Sequence, residues 1–132
     1  FPFVWPKVFQ MANGAASKDA TAVVILRHNA IPYALGNDLW QKYKLGEFAK
    51  IDDPLTKAPA VRNPFWQPKP GDYSAPGIGN IDIGINQLMD AGVLFCACHV
   101  ALTVDSAVLA GMMNLKADDV LNELTAGVLP GI

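Results

Sequence analysis

Two short stretches hold the side chains with the widest chemical reach. Cys96, Cys98 and His99 fall within four residues, and Arg27 and His28 are adjacent. The two cysteines and two histidines are the chain's full complement of both types. Cys98 is the candidate nucleophile. The thiolate is the reactive form of cysteine, and a helix N-terminus or a neighbouring cation favours it. A thiol prepared in this way attacks electrophiles or carries sulfur. Arg27, His28, Cys96 and His99 are the candidate substrate-binding groups around it. Each has a plainer reading. Free cysteine is a small, frequently buried hydrophobe, which covers Cys96 and Cys98 alike. His28 can be a base, a ligand or a polar residue satisfied at a strand end. Arg27 can bind an anion or pair with a carboxylate.

Other chemistries fit the same residues less well. An extended chain sets the Cα atoms of Cys96 and Cys98 roughly 6.6–7 Å apart, at the edge of disulfide geometry unless a local turn intervenes. Cys-x-Cys-His is not the haem attachment string, which needs one more residue between the cysteines. Cys96, Cys98, His99 and His28 offer the right atoms for zinc, but their spacing matches no common pattern, and alternate strand positions diverge. No metal and no cofactor is assigned. Gly77-Ile78-Gly79 is part of a phosphate loop with no strand before it and no correctly placed third glycine. No Gly-x-Ser-x-Gly, His-Glu-x-x-His or Walker pattern occurs. Asp52-Asp53 and Asp118-Asp119 read as loop and capping residues.

The elements that must position these groups follow from hydropathy. Thr21–Leu26 is a β-branched apolar run without polar alternation, the mark of a strand buried on both faces in a parallel sheet. It ends in Arg27-His28-Asn29. Val93–Leu102 is a second such run; its start reads as a buried strand, and near Cys98 the chain turns toward a helix. Val104, Val108 and Met112 stripe that helix, which ends at Asn114. Trp5, Val8, Phe9 and Ala12 stripe an opening helix with Pro6 in its first turn and a stop at Asn13-Gly14, followed by a loop over 14–20. Leu35, Leu39 and Tyr43 suggest a helix over 34–44 broken at Gly46. Ile81, Ile85, Leu88 and Met89 mark a helix over 81–91, with Asp82 in its first turn and Gly92 at its end. Asp118 or Asp119 caps a last helix, with Leu121 and Leu124 facing inward and Gly127 as its stop. A strand begins after it. Residues 50–80 hold six of the ten prolines and no period. Such a stretch reads as an arm packed on its own domain or a neighbouring subunit, or as a lid over a site. The alternation of strands and helices predicts an α/β class with a mostly parallel sheet. Ligands of open parallel sheets sit beyond the carboxyl ends of strands, where Arg27-His28 and Cys98-His99 both fall if the two strands are neighbours.

Composition bounds the function. The chain has 132 residues, enough for one domain over 1–132. At 52% hydrophobic and 17% charged it can build a core and is not a disordered segment. Its net charge of −2 leaves no basic surplus for nucleic acid. Prolines and glycines interrupt every candidate transmembrane segment. No targeting peptide is visible. The start at Phe1 without Met, and the abrupt Gly127–Ile132 end, point to an internal piece of a longer polypeptide.

The strand-end residues carry a resemblance. Val93–Leu102, V-L-F-C-A-C-H-V-A-L, resembles the third-strand signature of the DsrE-like sulfur-relay superfamily, in which an apolar strand ends in a cysteine followed by a small residue and Ala-Leu. Cys98 matches that cysteine. Val23–Pro32 and Ala58–Phe65 resemble a branch whose members often carry a twin-arginine export signal. The resemblance implies a three-layer α/β fold with a five-stranded, mostly parallel sheet, whose outer strands would lie outside this sequence. It implies a homo-oligomer, trimer or hexamer, and a periplasmic location, with the cytoplasm as the alternative. It also implies persulfide binding or transfer through Cys98, with a small sulfur species or a partner thiol protein as partner. His99 departs from the small or amide residue expected there. The competing expectation is a non-catalytic oligomeric binding or structural protein with an inert buried cysteine.

Overall fold

The computed structural model of the chain describes residues 2–12 and 22–132; the expected helix stop at Asn13-Gly14, the loop over 14–20 and the first strand residue Thr21 lie outside them. The chain divides into two compact units. One is built from Phe1–Val24 and Phe65–Cys96, the other from Ile25–Pro64 and Ala97–Ile132.

In the first unit, helix α1 spans Val4–Ala12. The sequence pattern finds its extent but not its buried side. Trp5, Val8 and Phe9 are exposed, and Phe3 is the buried aromatic. Phe3 meets Phe65 edge-on, with ring centroids 5.2 Å apart, and Phe95 at 5.7 Å. Tyr73 stacks on Phe65 at 5.2 Å. Ile83, Ile85, Leu88 and Val93 complete this core. Strands β2 (Ser74–Ala75) and β3 (Gly79–Asn80) form a short antiparallel hairpin. Helix α4 covers only Ile85–Asp90. It starts later than its periodicity suggests because the Gly84 N–H donates to Gln87 Oε1 at 2.8 Å and fixes the first turn there. Asp82 therefore precedes the helix, where its carboxylate accepts from Gln87 Nε2. Gly92, at φ +93°, makes the left-handed exit that glycine allows.

Strands β1 (Val23–Leu26) and β4 (Leu94–Ala97) pair in parallel. Their register is fixed by Leu94 N–H donating to the Ala22 carbonyl at 3.0 Å and Cys98 N–H to the Leu26 carbonyl at 2.9 Å. The chain is thus mixed α/β with a small parallel sheet, and the described residues contain two parallel strands where the resemblance implies five. The expected burial on both faces is not found. Val23 and Ile25 of β1 and Leu94 of β4 are more than half exposed. A two-stranded ladder is marginal by itself, so most of the stability must come from packed helices and loops.

The second unit supplies that packing. After β1 the chain enters a 3-10 turn, His28–Ala34, in place of the start of an α-helix. Pro32 lies inside it, and its carbonyl accepts from Leu35 N–H and from Trp40 Nε1. Helices α2 (Asn37–Lys42) and α3 (Leu45–Phe48) divide the single helix expected over 34–44. The break is at Lys44, in the left-handed region at φ +49°, and Gly46 lies inside α3. Gly46 is needed for approach: a Cβ there would lie 2.1 Å from the Ala60 carbonyl oxygen. Helices α5 (His99–Met113) and α6 (Ala117–Ala126) pack on these elements. Their shared core includes Ile31, Leu35, Leu39, Trp40, Leu45, Leu109, Val120 and Leu124. Asp118 and Asp119 lie in the first turn of α6, which is capped by Lys116 without a side-chain bond. The expected final strand is a single bridge, Leu35 to Val128.

The proline-rich segment is divided between the units at Pro64 and Phe65. In the second unit Ala60 and Asn63 are buried. Asn63 Nδ2 donates to the Tyr33 and Leu35 carbonyls at 2.8 and 3.1 Å, and Asn37 Oδ1 accepts from the Asn63 N–H. Asp53 is buried and pairs with Arg62 at 3.2 Å.

Candidate functional site

Cys98 occupies the junction between β4 and α5. Its backbone is still extended (φ −77°, ψ 109°), and it is the N-cap of the fifteen-residue α5. Its carbonyl accepts the first helical bond, from Leu102 N–H, while its own N–H closes the ladder to Leu26. The sequence folds this way because the apolar strand run passes into Ala101-Leu102, where α5 can bury Leu102 in the core. The thiol is half-buried and packs against the hydrophobic cluster of the second unit. It makes no capping hydrogen bond.

Arg27 and His28 follow β1 directly, and both are exposed. Arg27 Nε donates to His28 Nδ1 at 3.1 Å. His28 has a left-handed backbone, φ +48°. That conformation is costly for a side chain with a Cβ, and such outliers gather at functional sites. Here it is weak support, because Lys44, Lys50, Lys57, Gln67 and Asn114 share it. His99 is exposed in the first turn of α5, and its carbonyl accepts from Thr103 Oγ1 at 2.9 Å.

Arg27, His28, Cys98 and His99 therefore lie in one unit, just beyond the carboxyl ends of the paired strands. Cys96 is exposed on β4 and belongs to the other unit. Among the described residues no group of three or more His, Cys, Asp or Glu side chains could hold a metal ion, so the zinc alternative drawn from Cys96, Cys98, His99 and His28 has no geometric support.

The sequence reading missed two features. Asp105, half-buried on α5, has its carboxyl pushed up by burial, with the charge of His28 pulling it back. Nothing in the local sequence joins these residues; α5 and the 3-10 turn bring them near each other. The second feature is a cleft of 640 Å³ lined by Lys42, Tyr43, Lys44, Phe48, Leu109 and Met112, among others. Its volume suits a small molecule. Two of its polar groups are already engaged elsewhere: Glu123 accepts from Lys42 Nζ at 2.6 and 2.7 Å and from Tyr43 Oη at 2.5 Å. Those bonds hold the Glu123 carboxyl below the ordinary range and raise Lys42, while burial raises Tyr43. Lys44 and Glu47 are the other polar groups in its lining.

Compared with known proteins, the chain matches no family model, no curated protein and no solved structure.

Proposed function

We propose that the protein is a DsrE-like sulfur carrier that holds a persulfide on Cys98. The observation that carries this reading is the position of Cys98: a partly accessible thiol that ends a parallel strand and begins a long helix. At such a junction the first backbone N–H groups of the helix lie close to the sulfur. The Cys98 thiolate attacks a sulfane sulfur of an inorganic polysulfide. A new S–S bond forms, the polysulfide S–S bond breaks, and the shortened polysulfide leaves as the anion. The product is a Cys98 persulfide. A partner thiolate then attacks the outer sulfur, and Cys98 leaves as the thiolate. Both steps are exchanges, with no net oxidant or reductant. Arg27 supplies positive charge for the anionic donor, and His28 and His99 flank it as exposed polar groups. Cys96 has no role in this scheme.

The finer architecture belongs to the same proposal: a three-layer fold completed by strands outside this sequence, assembly as a trimer or hexamer, and residence in the periplasm. These rest on the sequence resemblance. Cell fractionation tests the location; recovery in the cytoplasmic fraction would overturn it.

One observation favours a second reading. Cys98 packs against the core of its unit, and among the described residues its thiol has no hydrogen-bond or ionic partner. An inert cysteine in a non-catalytic oligomeric protein would look the same. Alkylation rate against pH separates the two readings. A carrier thiol reacts at neutral pH in the folded protein, and an inert one only on unfolding.

A further inference from the structure

Helix α5 is apolar on both sides. Leu102, Ser106, Leu109 and Ala110 face the core of the second unit, and the Ser106 hydroxyl is satisfied by the Leu102 carbonyl at 2.7 Å. The opposite side was expected to be the buried stripe and is instead exposed: Val100 at 72%, Val104 at 57%, Val108 at 47% and Met112 at 69%. Leu115, just past the helix end, is also exposed. From His99 to Leu115 the ionisable side chains are His99 and Asp105 alone. A helix that is apolar all round is normally covered on all sides.

We propose that this face of α5 is the contact with a second copy of the chain, related by a two-fold axis near its middle. Three observations favour a copy over an unrelated partner. The first is shape. Val100, Val104, Val108 and Met112 form one i, i+4 ridge, and exposed Thr103, Ala107 and Gly111 form a parallel row of small residues beside it. The ridge of one helix fits the small-residue groove of its twin, the packing that gives crossing angles near −50°. A Cβ added at Gly111 would meet nothing within 4 Å, so this row is open on its outer side. The second is symmetry. About position 106, Val100 exchanges with Met112 and Val104 with Val108, so a two-fold axis there maps the ridge onto itself and lets each copy's ridge lie in the other's groove. The third is area. The five large side chains expose roughly 500 Å² on each copy, or about 1,000 Å² in a pair, the lower bound for specific association. The contact is therefore of moderate strength. A two-fold contact builds a dimer, or a hexamer that combines two-fold and three-fold axes, but not an isolated trimer.

Sedimentation equilibrium on the chain, from micromolar to sub-millimolar concentration, tests this. The expected result is an even-numbered oligomer. The double variant Val104→Asp, Val108→Asp should weaken the two-fold step by on the order of 100-fold or more, and Ile78→Asp, exposed in the other unit, should not weaken it. Circular dichroism checks that the variants keep their helix. A photo-crosslinking residue at position 104 in the otherwise unchanged chain gives a readout independent of the variants' folding, and it should join copy to copy within α5. A monomer or trimer at all concentrations, an oligomer unaffected by the double variant, or crosslinks that join copies outside α5 would each overturn the proposal. The sulfur reading is measured by mass on Cys98 and does not depend on these outcomes.

Discussion

Glu123 carries the clearest electrostatic prediction. Its carboxylate accepts from Lys42 and from Tyr43, and this holds its pKa below the ordinary value. A carboxyl depressed in the folded state contributes stability above its unfolded pKa and loses it as pH falls through the folded value. Glu123→Gln should therefore lower the urea midpoint at pH 7, and the gap from the parent should shrink as pH falls through the acidic range. The effect is small because the ion pair is exposed to water. Equal gaps at pH 7 and at pH 3 would contradict the linkage. At the same scale, Cys98→Ser should keep the fold and lose all sulfur uptake, whereas Cys96→Ser should keep both. Intact mass after polysulfide treatment reads both outcomes. The positions of Cys98, Arg27 and His28 were legible because each adjoins an apolar run whose end the sequence marks. Asp105 and Glu123 were not legible. Their partners, His28 and Tyr43, lie far along the chain, and only folding places them together.

Glycine contacts make predictions for the elements. At Gly46 a new Cβ would strike the Ala60 backbone at 2.1 to 2.8 Å. Gly46→Ala should thus cost about 1–3 kcal/mol or more, since neither α3 nor the Ala60 segment can give way alone. Gly127→Ala meets mainly the end of the Leu39 side chain, at 2.2 Å, which can rotate, so its cost should be smaller. Urea denaturation of both variants checks the order, and a larger loss for Gly127→Ala would contradict it. The same scale shows why some elements were legible. Helices α4 and α6 alternate apolar and polar sides, and Ile85, Leu88 and Leu124 were placed inward correctly. Helix α5 is apolar all round, so periodicity gave no way to choose between its sides, and the stripe Val104, Val108, Met112 was placed on the wrong one. Gly46 was read as a helix breaker, but close packing rather than backbone freedom accounts for it. The proline-rich segment had no period to read, although Ala60, Asn63, Phe65 and Tyr73 are all buried within it.

In the whole molecule, each unit is assembled from two distant stretches of chain. Neither can form until its second stretch has been made, so the fold relies on long-range contacts, which slow folding. No helix among the described residues is long and apolar enough to cross a membrane. The apolar surface on α5 is the one the proposed two-fold contact would cover. If the α5 contact forms, the variant Val104→Asp, Val108→Asp should elute later than the parent in size-exclusion chromatography at equal concentration. Co-elution of the two would contradict that expectation.

The most direct test of the central claim is the mass of Cys98 after exposure of the folded protein to polysulfide, paired with its alkylation rate against pH. The account predicts one added sulfur on the Cys98 peptide, removable by a thiol, and alkylation of Cys98 in the folded protein at neutral pH. A Cys98 that gains no sulfur and resists alkylation until the protein unfolds would contradict it and leave the inert, structural cysteine.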